Sequence, residues 1–234
     1  MKNNYNVDLS LTIPFFNEEK NVSSVIKSLL FALNKEKINF EVIAIDNGSF
    51  DSTGTIIDQF KGKDSRVRKL RIDKNQGYGY AIKKGLSMCR GNYIGYLWGD
   101  NQISPEVIPR LLYVLKNEPV SLCKIWRKSR TESIGRKIES YLYNFFMKIL
   151  FGINSKDMNG CPKIMKSEVY KSLNIMSKDW FIDAEIMIKC GRKGYKIKEL
   201  PVNPTERKAG MSKVNFMTSL EFAKNILKYR LFSR

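Results

Sequence analysis

The chain contains no histidine. That removes His-based catalytic triads and His-ligated metal sites from consideration. Its four cysteines, Cys89, Cys123, Cys161 and Cys190, are scattered, with no Cys-x-x-Cys pair. This spacing argues against zinc and for reduced thiols in a cytosolic setting. No stretch reaches the roughly 20 apolar residues that span a bilayer. The polar N-terminus carries no signal-peptide pattern. Acidic residues are scarce: 23 Asp+Glu face 41 Lys+Arg, a net charge of +18. Such an excess favours anionic partners, whether nucleic acid, phosphorylated substrates or an acidic membrane surface. An AT-rich genome that prefers Lys, Asn and Ile produces the same balance without any partner. No nucleic-acid motif accompanies the charge, so nucleic acid is not the expected partner.

What remains is a chain of 234 residues, 43% of them apolar, enough for one sizeable domain over 1–234. Leu9–Pro14 reads as a buried strand and Asn21–Leu33 as a helix, with apolar residues at 22, 25, 26, 29, 30 and 33. Phe40–Ile45, Val67–Ile72 and Tyr93–Leu97 read as further strands. Ser52–Phe60, Tyr78–Met88 and Glu106–Leu115 read as helices between them, with Pro105 in the favoured first-turn position. This alternation predicts an α/β fold with a mostly parallel central sheet flanked by helices. Polar loops follow the strand ends, where open α/β sheets place their ligands. After Val120–Trp126 the character changes. Lys124, Arg127, Lys128, Arg130, Arg136 and Lys137 crowd against one acid, Glu132. The aromatic run Ile138–Phe151 follows. Ile164–Ile175, Asp183–Cys190 and Asn215–Tyr229 look helical, and Tyr195–Leu200 looks like a strand.

Four motifs stand in order at predicted strand ends. They are Ile13-Pro14-Phe15-Phe16-Asn17-Glu18-Glu19; Ile45-Asp46-Asn47-Gly48-Ser49 with Asp51 and Thr53; Asn75-Gln76-Gly77-Tyr78-Gly79; and Gly91-Asn92-Tyr93 leading to Trp98-Gly99-Asp100-Asn101-Gln102. Each is weak alone. Together they resemble family 2 glycosyltransferases of the GT-A fold. Asp157-Met158-Asn159-Gly160, Asp183-Ala184-Glu185, and Arg207 with Gly210, Ser212 and Lys213 narrow the likeness. They resemble the branch of dolichyl-phosphate mannosyltransferases and polyprenyl-phosphate glycosyltransferases. The resemblance implies a nucleotide-binding half at about 7–120 and an acceptor- and membrane-facing half at about 121–234. It places Pro14, Phe16, Glu18, Asp46, Gly99 and Asp100 around the donor, and Arg127, Arg207 and Lys213 on its phosphates.

The residues can also be read without the resemblance. Asp46 at a strand end can accept hydrogen bonds from base or ribose, or simply belong to a turn leading into a helix cap. Gly77 and Gly79 before a helix N-terminus would suit a phosphate or sugar, or form a glycine turn with no ligand. Asp100 and Gln102 are the candidate ligands for Mg²⁺ or Mn²⁺, which take oxygen donors and share their shell with substrate phosphates. The family turn has a first Asp where this chain has Trp98. Trp98 supplies no oxygen, so cation binding is expected to be weakened or dispensed with, basic residues then holding the diphosphate. Trp98 can equally fill core space beside an inactive site. Ile138–Phe151 can be a buried helix, or lie in a membrane interface and receive a lipid acceptor. Gly194–Arg234 holds nine basic residues against three acidic ones, which fits an anionic membrane surface.

The leading expectation is inverting transfer of a sugar from a nucleotide-sugar to a polyprenyl (dolichyl-type) phosphate, by a protein bound peripherally at the cytoplasmic membrane face. Asp157 is the carboxylate expected nearest the acceptor, unless it caps a loop beside Asn159 and Gly160. Asp183 is a second candidate for that carboxylate, or a helix start. Members of that branch often continue into transmembrane helices near this point, so a separate anchoring subunit is an expected partner. Two other readings remain: transfer to a sugar or polyol hydroxyl, and a non-catalytic nucleotide-sugar-binding protein or membrane-complex subunit.

Overall fold

The structure is a computed structural model that describes residues 7–128, 134–205 (134–139 by backbone alone), 225–226 and 229–230. Elements run β1 (Leu9–Phe15), α1 (Glu19–Lys35), β2 (Phe40–Asn47), α2 (Thr53–Lys63), β3 (Val67–Ile72), α3 (Tyr78–Ser87), β4 (Tyr93–Tyr96) and α4 (Val107–Asn117). Then come β5 (Leu122–Arg127), α5 (Ile134–Phe151), β6 (Lys163–Lys166), α6 (Ser167–Leu173), α7 (Ile182–Arg192) and β7 (Ile197–Val202). Among the described residues the strands form one sheet in the order β3-β2-β1-β4-β6-β5-β7. β1 and β2 bury nearly every side chain, the mark of strands covered on both faces. The apolar stripe of α1 (Val22, Val25, Ile26, Leu29 and Leu33) faces the same core.

The sheet is parallel except at β6, which runs antiparallel to both β4 and β5. The sequence reading had one helix over Ile164–Ile175; the chain instead makes strand β6 and then the short helix α6. Four residues bounded by lysines carry no clear period, and a short buried run cannot be told from helix by pattern alone. The other correction is at α4. Glu106 is its N-cap, so Pro105 lies before the cap and its carbonyl accepts the Ile108 N–H at 3.0 Å.

Among the described residues two lysines lie wholly inside the fold. Lys124 of β5 is held by Glu199 of β7 at 2.8 Å and by the carbonyls of Ile125 and Asp157. Lys163 of β6 pairs with Asp183 of α7. Breaking such a buried pair leaves an uncompensated charge, at a cost of about 3–5 kcal/mol.

β1 sits where the order reverses: β2 and β3 lie to one side and β4 to the other. Ligands of open α/β sheets bind beyond the carboxyl ends of the strands at such a point.

Candidate active site

The loops after β1 and β2 are laced together. Asn17 takes a left-handed backbone (φ 53°). Its N–H donates to Ser49 Oγ at 3.1 Å, and the Phe50 N–H donates to Asn17 Oδ1 at 2.9 Å. The Glu18 N–H donates to Thr53 Oγ1, and the Glu19 N–H to Asp51 Oδ2. In return the Ser52 N–H donates to Glu19 Oε2 at 3.1 Å. Burial opposes the Asp51 charge, but its hydrogen bonds from Thr53 and Glu19 prevail and hold its carboxyl below the ordinary value. These bonds fix the half-buried Pro14, Phe16 and Glu18 at the rim, where Asn21 Nδ2 donates to Glu18 Oε2 at 2.7 Å. Phe16 meets the ring of Phe50 edge-on at 6.0 Å. Phe50 is 89% exposed. Sequence reasoning passed over it, although an aromatic between Ser49 and Asp51 is unusual for a tight polar turn.

Asp46, the last but one residue of β2, is fully buried. It accepts the Ser49 N–H at 3.0 Å and ion-pairs with Arg71, whose side chain is nearly half exposed. Arg71 is a second residue that the sequence did not single out.

The glycine turn before α3 serves packing. The Tyr80 N–H donates to the Lys178 carbonyl at 2.8 Å. A Cβ at Gly79 would lie 2.8 Å from the Asp179 nitrogen and closer still to its carbonyl oxygen. The loop before α7 therefore abuts this helix start, which the sequence had offered to a phosphate or sugar.

The turn after β4 rests on the end of β1: a Cβ at Gly99 would lie 2.6 Å from the Phe15 ring and 2.9 Å from the Pro14 carbonyl. Only glycine permits that approach. Asp100 Oδ1 accepts the Gln102 N–H at 3.2 Å. Asn101 Nδ2 donates to Ser24 of α1. The Thr205 N–H donates to the Gln102 carbonyl at 2.9 Å, so the segment after β7 leaves from this turn. Arg207 and Lys213 lie outside the described residues.

Trp98 is built into this turn. Its indole N–H donates to Tyr78 Oη at 3.1 Å, and Tyr78 stacks on Trp180 at 4.7 Å. Burial first, then the Asp183 charge, pushes the Tyr78 hydroxyl well above its ordinary value, so it stays protonated. The Arg127 guanidinium lies over the Trp98 ring, 5.3 Å from its centroid. Asp157 grips Arg127 through Nε at 2.8 Å, Nη2 at 3.0 Å and the backbone N–H at 3.2 Å. Asp157 is itself buried, and its carbonyl accepts the Gly160 N–H. Asn144 of α5 reaches the same loop: its Oδ1 accepts the Met158 N–H at 3.0 Å.

Asp183 lies in the core, accepting Tyr96 Oη–H at 2.7 Å and the Lys163 ammonium. The structure thus gathers Pro14, Phe16, Glu18, Gly99, Asp100 and Gln102 on one rim, with Asp46 beneath and Arg127–Asp157 beside Trp98. Asp183, in the first turn of α7, is held apart from them by Tyr96 of β4 and Lys163 of β6. Burial pushes all four thiols up, Cys123 and Cys190 to about 12, so the cysteines are neutral packing groups.

A divalent cation needs several oxygen ligands. This turn offers one carboxylate, Asp100, and the amide oxygen of Gln102, while Trp98 presents a ring and an N–H donor. Among the described residues no three His, Cys, Asp or Glu side chains cluster to hold a metal. The donor set fits a cation that arrives with a diphosphate, and does not fit one held by protein groups alone.

α5 carries two faces. Met147 is fully buried, and Tyr143, Leu150 and Phe151 pack on the core. Tyr141 (71% exposed), Leu142, Phe145 (46%), Phe146 (50%) and Ile149 (62%) form an outward apolar stripe. Among the described residues no helix is long and apolar enough to cross a membrane.

The model of the family described as "Glycosyl transferase family 2" matches residues 10–173. The dodecaprenyl-phosphate galacturonate synthase of Rhizobium johnstonii is 27% identical over 97% of this chain and 68% of its own length. The dolichyl-phosphate beta-glucosyltransferase of Dictyostelium discoideum is 27% identical over 96% of this chain and 74% of its own length. Both are sugar transferases of the polyprenyl-phosphate branch. The crystal structure of Mycobacterium tuberculosis glucosyl-3-phosphoglycerate synthase, holding Mn²⁺, UDP and glucosyl-3-phosphoglycerate, matches with a TM-score of 0.73. It is 20% identical, with 96% of this chain and 80% of that chain covered, so it speaks for the GT-A fold. The family model spans most of the chain and the two relatives nearly all of it: the chain belongs to glycosyl transferase family 2 and is a glycosyltransferase.

Proposed function

We propose that this glycosyltransferase moves a sugar from a nucleotide-sugar to a polyprenyl phosphate, with inversion, while docked on the cytoplasmic face of an anionic membrane. One observation carries the acceptor: the helix with the exposed aromatic stripe is hydrogen-bonded, through Asn144, to the loop whose Asp157 holds Arg127. An acceptor whose tail lies in the lipid and whose phosphate reaches the site matches that connection. The names of the relatives support the same acceptor class.

In this reading Pro14, Phe16 and Glu18 line the nucleoside pocket, with Phe50 at its edge and Asp46 below. Arg127, Arg207 and Lys213 bind phosphate oxygens; the planar guanidinium suits them as a fork, lysine as a mobile point charge. A lipid phosphate is anionic near neutral pH, so its oxygen needs positioning and desolvation more than a strong base. Asp157 orients Arg127, and Asp183 holds Lys163 and Tyr96 in register beneath the turn. Neither is required to take a proton. This disfavours a hydroxyl acceptor, whose transfer needs a base free to reach it. A divalent cation delivered with the donor would be held by Asp100 and Gln102, more weakly than by two carboxylates. When bound, it would offset charge on the departing diphosphate.

The test is a screen of nucleotide-sugars against a short polyprenyl phosphate, read by product mass. A new sugar-phosphate-lipid mass supports the proposal. Donor turnover with a simple sugar or polyol and none with the lipid would replace it by the hydroxyl reading. A folded protein that turns over no donor would leave a binding role.

A further inference from the structure

We infer that Trp98, Arg127 and Asp157 form a fixed cationic arm that lets this chain hold a nucleoside diphosphate without a divalent cation. The inference rests on the donor site proposed above and goes further, because it assigns a purpose to the lost carboxylate. A degraded site would leave residue 98 as filler. Here the indole is held on three sides: its N–H donates to Tyr78 Oη, the turn beside it is pressed onto β1 at Gly99, and a guanidinium covers one ring face.

The guanidinium comes from the last residue of β5 and is aimed by two side-chain bonds and one backbone bond to a single carboxylate. Asp157 in turn is anchored by its carbonyl, which accepts Lys124 Nζ and the Gly160 N–H. Side chains aimed before the ligand arrives lose little freedom on binding. A planar guanidinium also suits a phosphate fork. Trp98 serves as its platform, since an aromatic face attracts a cation.

An aspartate at position 98 would supply the second oxygen ligand for a cation. The tryptophan supplies no oxygen there and instead carries the Arg127 guanidinium on its ring face. That arrangement withholds a ligand from a cation and offers the guanidinium to the diphosphate instead.

The experiment measures binding of UDP, GDP, CDP, ADP and dTDP to the full chain by titration calorimetry, in EDTA and in MnCl₂. At least one nucleotide should bind in EDTA within about 3-fold of its affinity in Mn²⁺. Arg127→Gln with Asp157→Asn removes both charges of the pair and keeps neutral hydrogen bonding, so the fold should stand by circular dichroism. This variant should lose about 10-fold or more of the EDTA affinity, the scale of one charged hydrogen bond. Trp98→Asp should make Mn²⁺ strengthen binding about 10-fold or more, with bound Mn²⁺ visible by electron paramagnetic resonance. Wild-type binding that appears only with Mn²⁺ would overturn the arm and leave the donor site intact. So would unchanged EDTA affinity in the folded double variant, or a cation response unaltered by Trp98→Asp. No binding of any nucleotide in either medium would overturn both the arm and the donor site.

Discussion

Replacing Tyr141, Phe145, Phe146 and Ile149 by serine should detach the protein from anionic vesicles and leave it folded. These side chains are between 46% and 71% exposed and point away from the core that Met147 anchors. A half-exposed aromatic offers roughly 100 Å² of apolar surface, from a whole side chain of about 150–250 Å². At about 25 cal/mol per Å², insertion of each contributes up to ~2.5 kcal/mol. Even if a quarter of that area enters the lipid, four residues together supply ~2.5 kcal/mol, a factor of nearly 10² in partitioning. The basic surface adds about 1 kcal/mol for each lysine or arginine near the headgroups, and salt screens that part. Flotation with anionic vesicles at low and high salt separates the two contributions. The wild type should weaken as salt rises; the serine variant should be weak at every salt concentration. Far-UV circular dichroism should be unchanged. A folded quadruple variant that floats like the wild type at high salt would refute the reasoning. Phe151 does not belong in this set, because it packs edge-on against Tyr229 at 6.0 Å.

Asp100→Ala should reduce transfer by at least ~10²-fold with little loss of stability, the scale of losing a key electrostatic group in a loop; initial rates and a urea melt check both. Lys163→Met should cost about 3–5 kcal/mol in urea unfolding, because it leaves Asp183 buried without its ammonium. Acid should weaken the fold through Glu185 and Glu199. Burial opposes their charge, but Lys189 and the Ser177 and Met176 N–H groups hold Glu185 below 4.5, and Lys124, Ser155 and the Lys156 N–H do the same for Glu199. Their contribution should be complete above about pH 4.5 and lost as pH falls through the lower folded values. Urea midpoints measured from pH 7 down to 3 should show that decline, with a shallower slope in Glu199→Gln.

The alternation of β1, β2 and β4 with α1 to α3 was legible because parallel strands covered on both faces read as unbroken apolar runs between polar loops. β6 was not legible. Its buried Lys163 makes sense only beside Asp183, twenty residues on. The same limit applied at the site. That residue 98 breaks the family turn is plain from the sequence; that its indole reaches Tyr78 and carries Arg127 is a matter of packing between distant segments. Asp157 and Arg127 were both singled out, but their mutual grip spans thirty residues and left no signal in the sequence. Gly77 and Gly79 showed the helix start, while the loop at Lys178 and Asp179 that closes it left no local signal. The apolar content of α5 was visible, and the division into an inward Met147 face and an outward aromatic face required the fold.

The acceptor is the central claim, and a matched pair of acceptors tests it. With the active nucleotide-sugar in hand, a short polyprenyl phosphate and the corresponding polyprenol are offered side by side, and the products are weighed by mass spectrometry. A sugar-phosphate-lipid is expected from the first and nothing from the second, because an anionic phosphate oxygen attacks without losing a proton, whereas a hydroxyl needs a base. Equal transfer to the uncharged polyprenol, or transfer to neither with ready transfer to a soluble sugar, would contradict it.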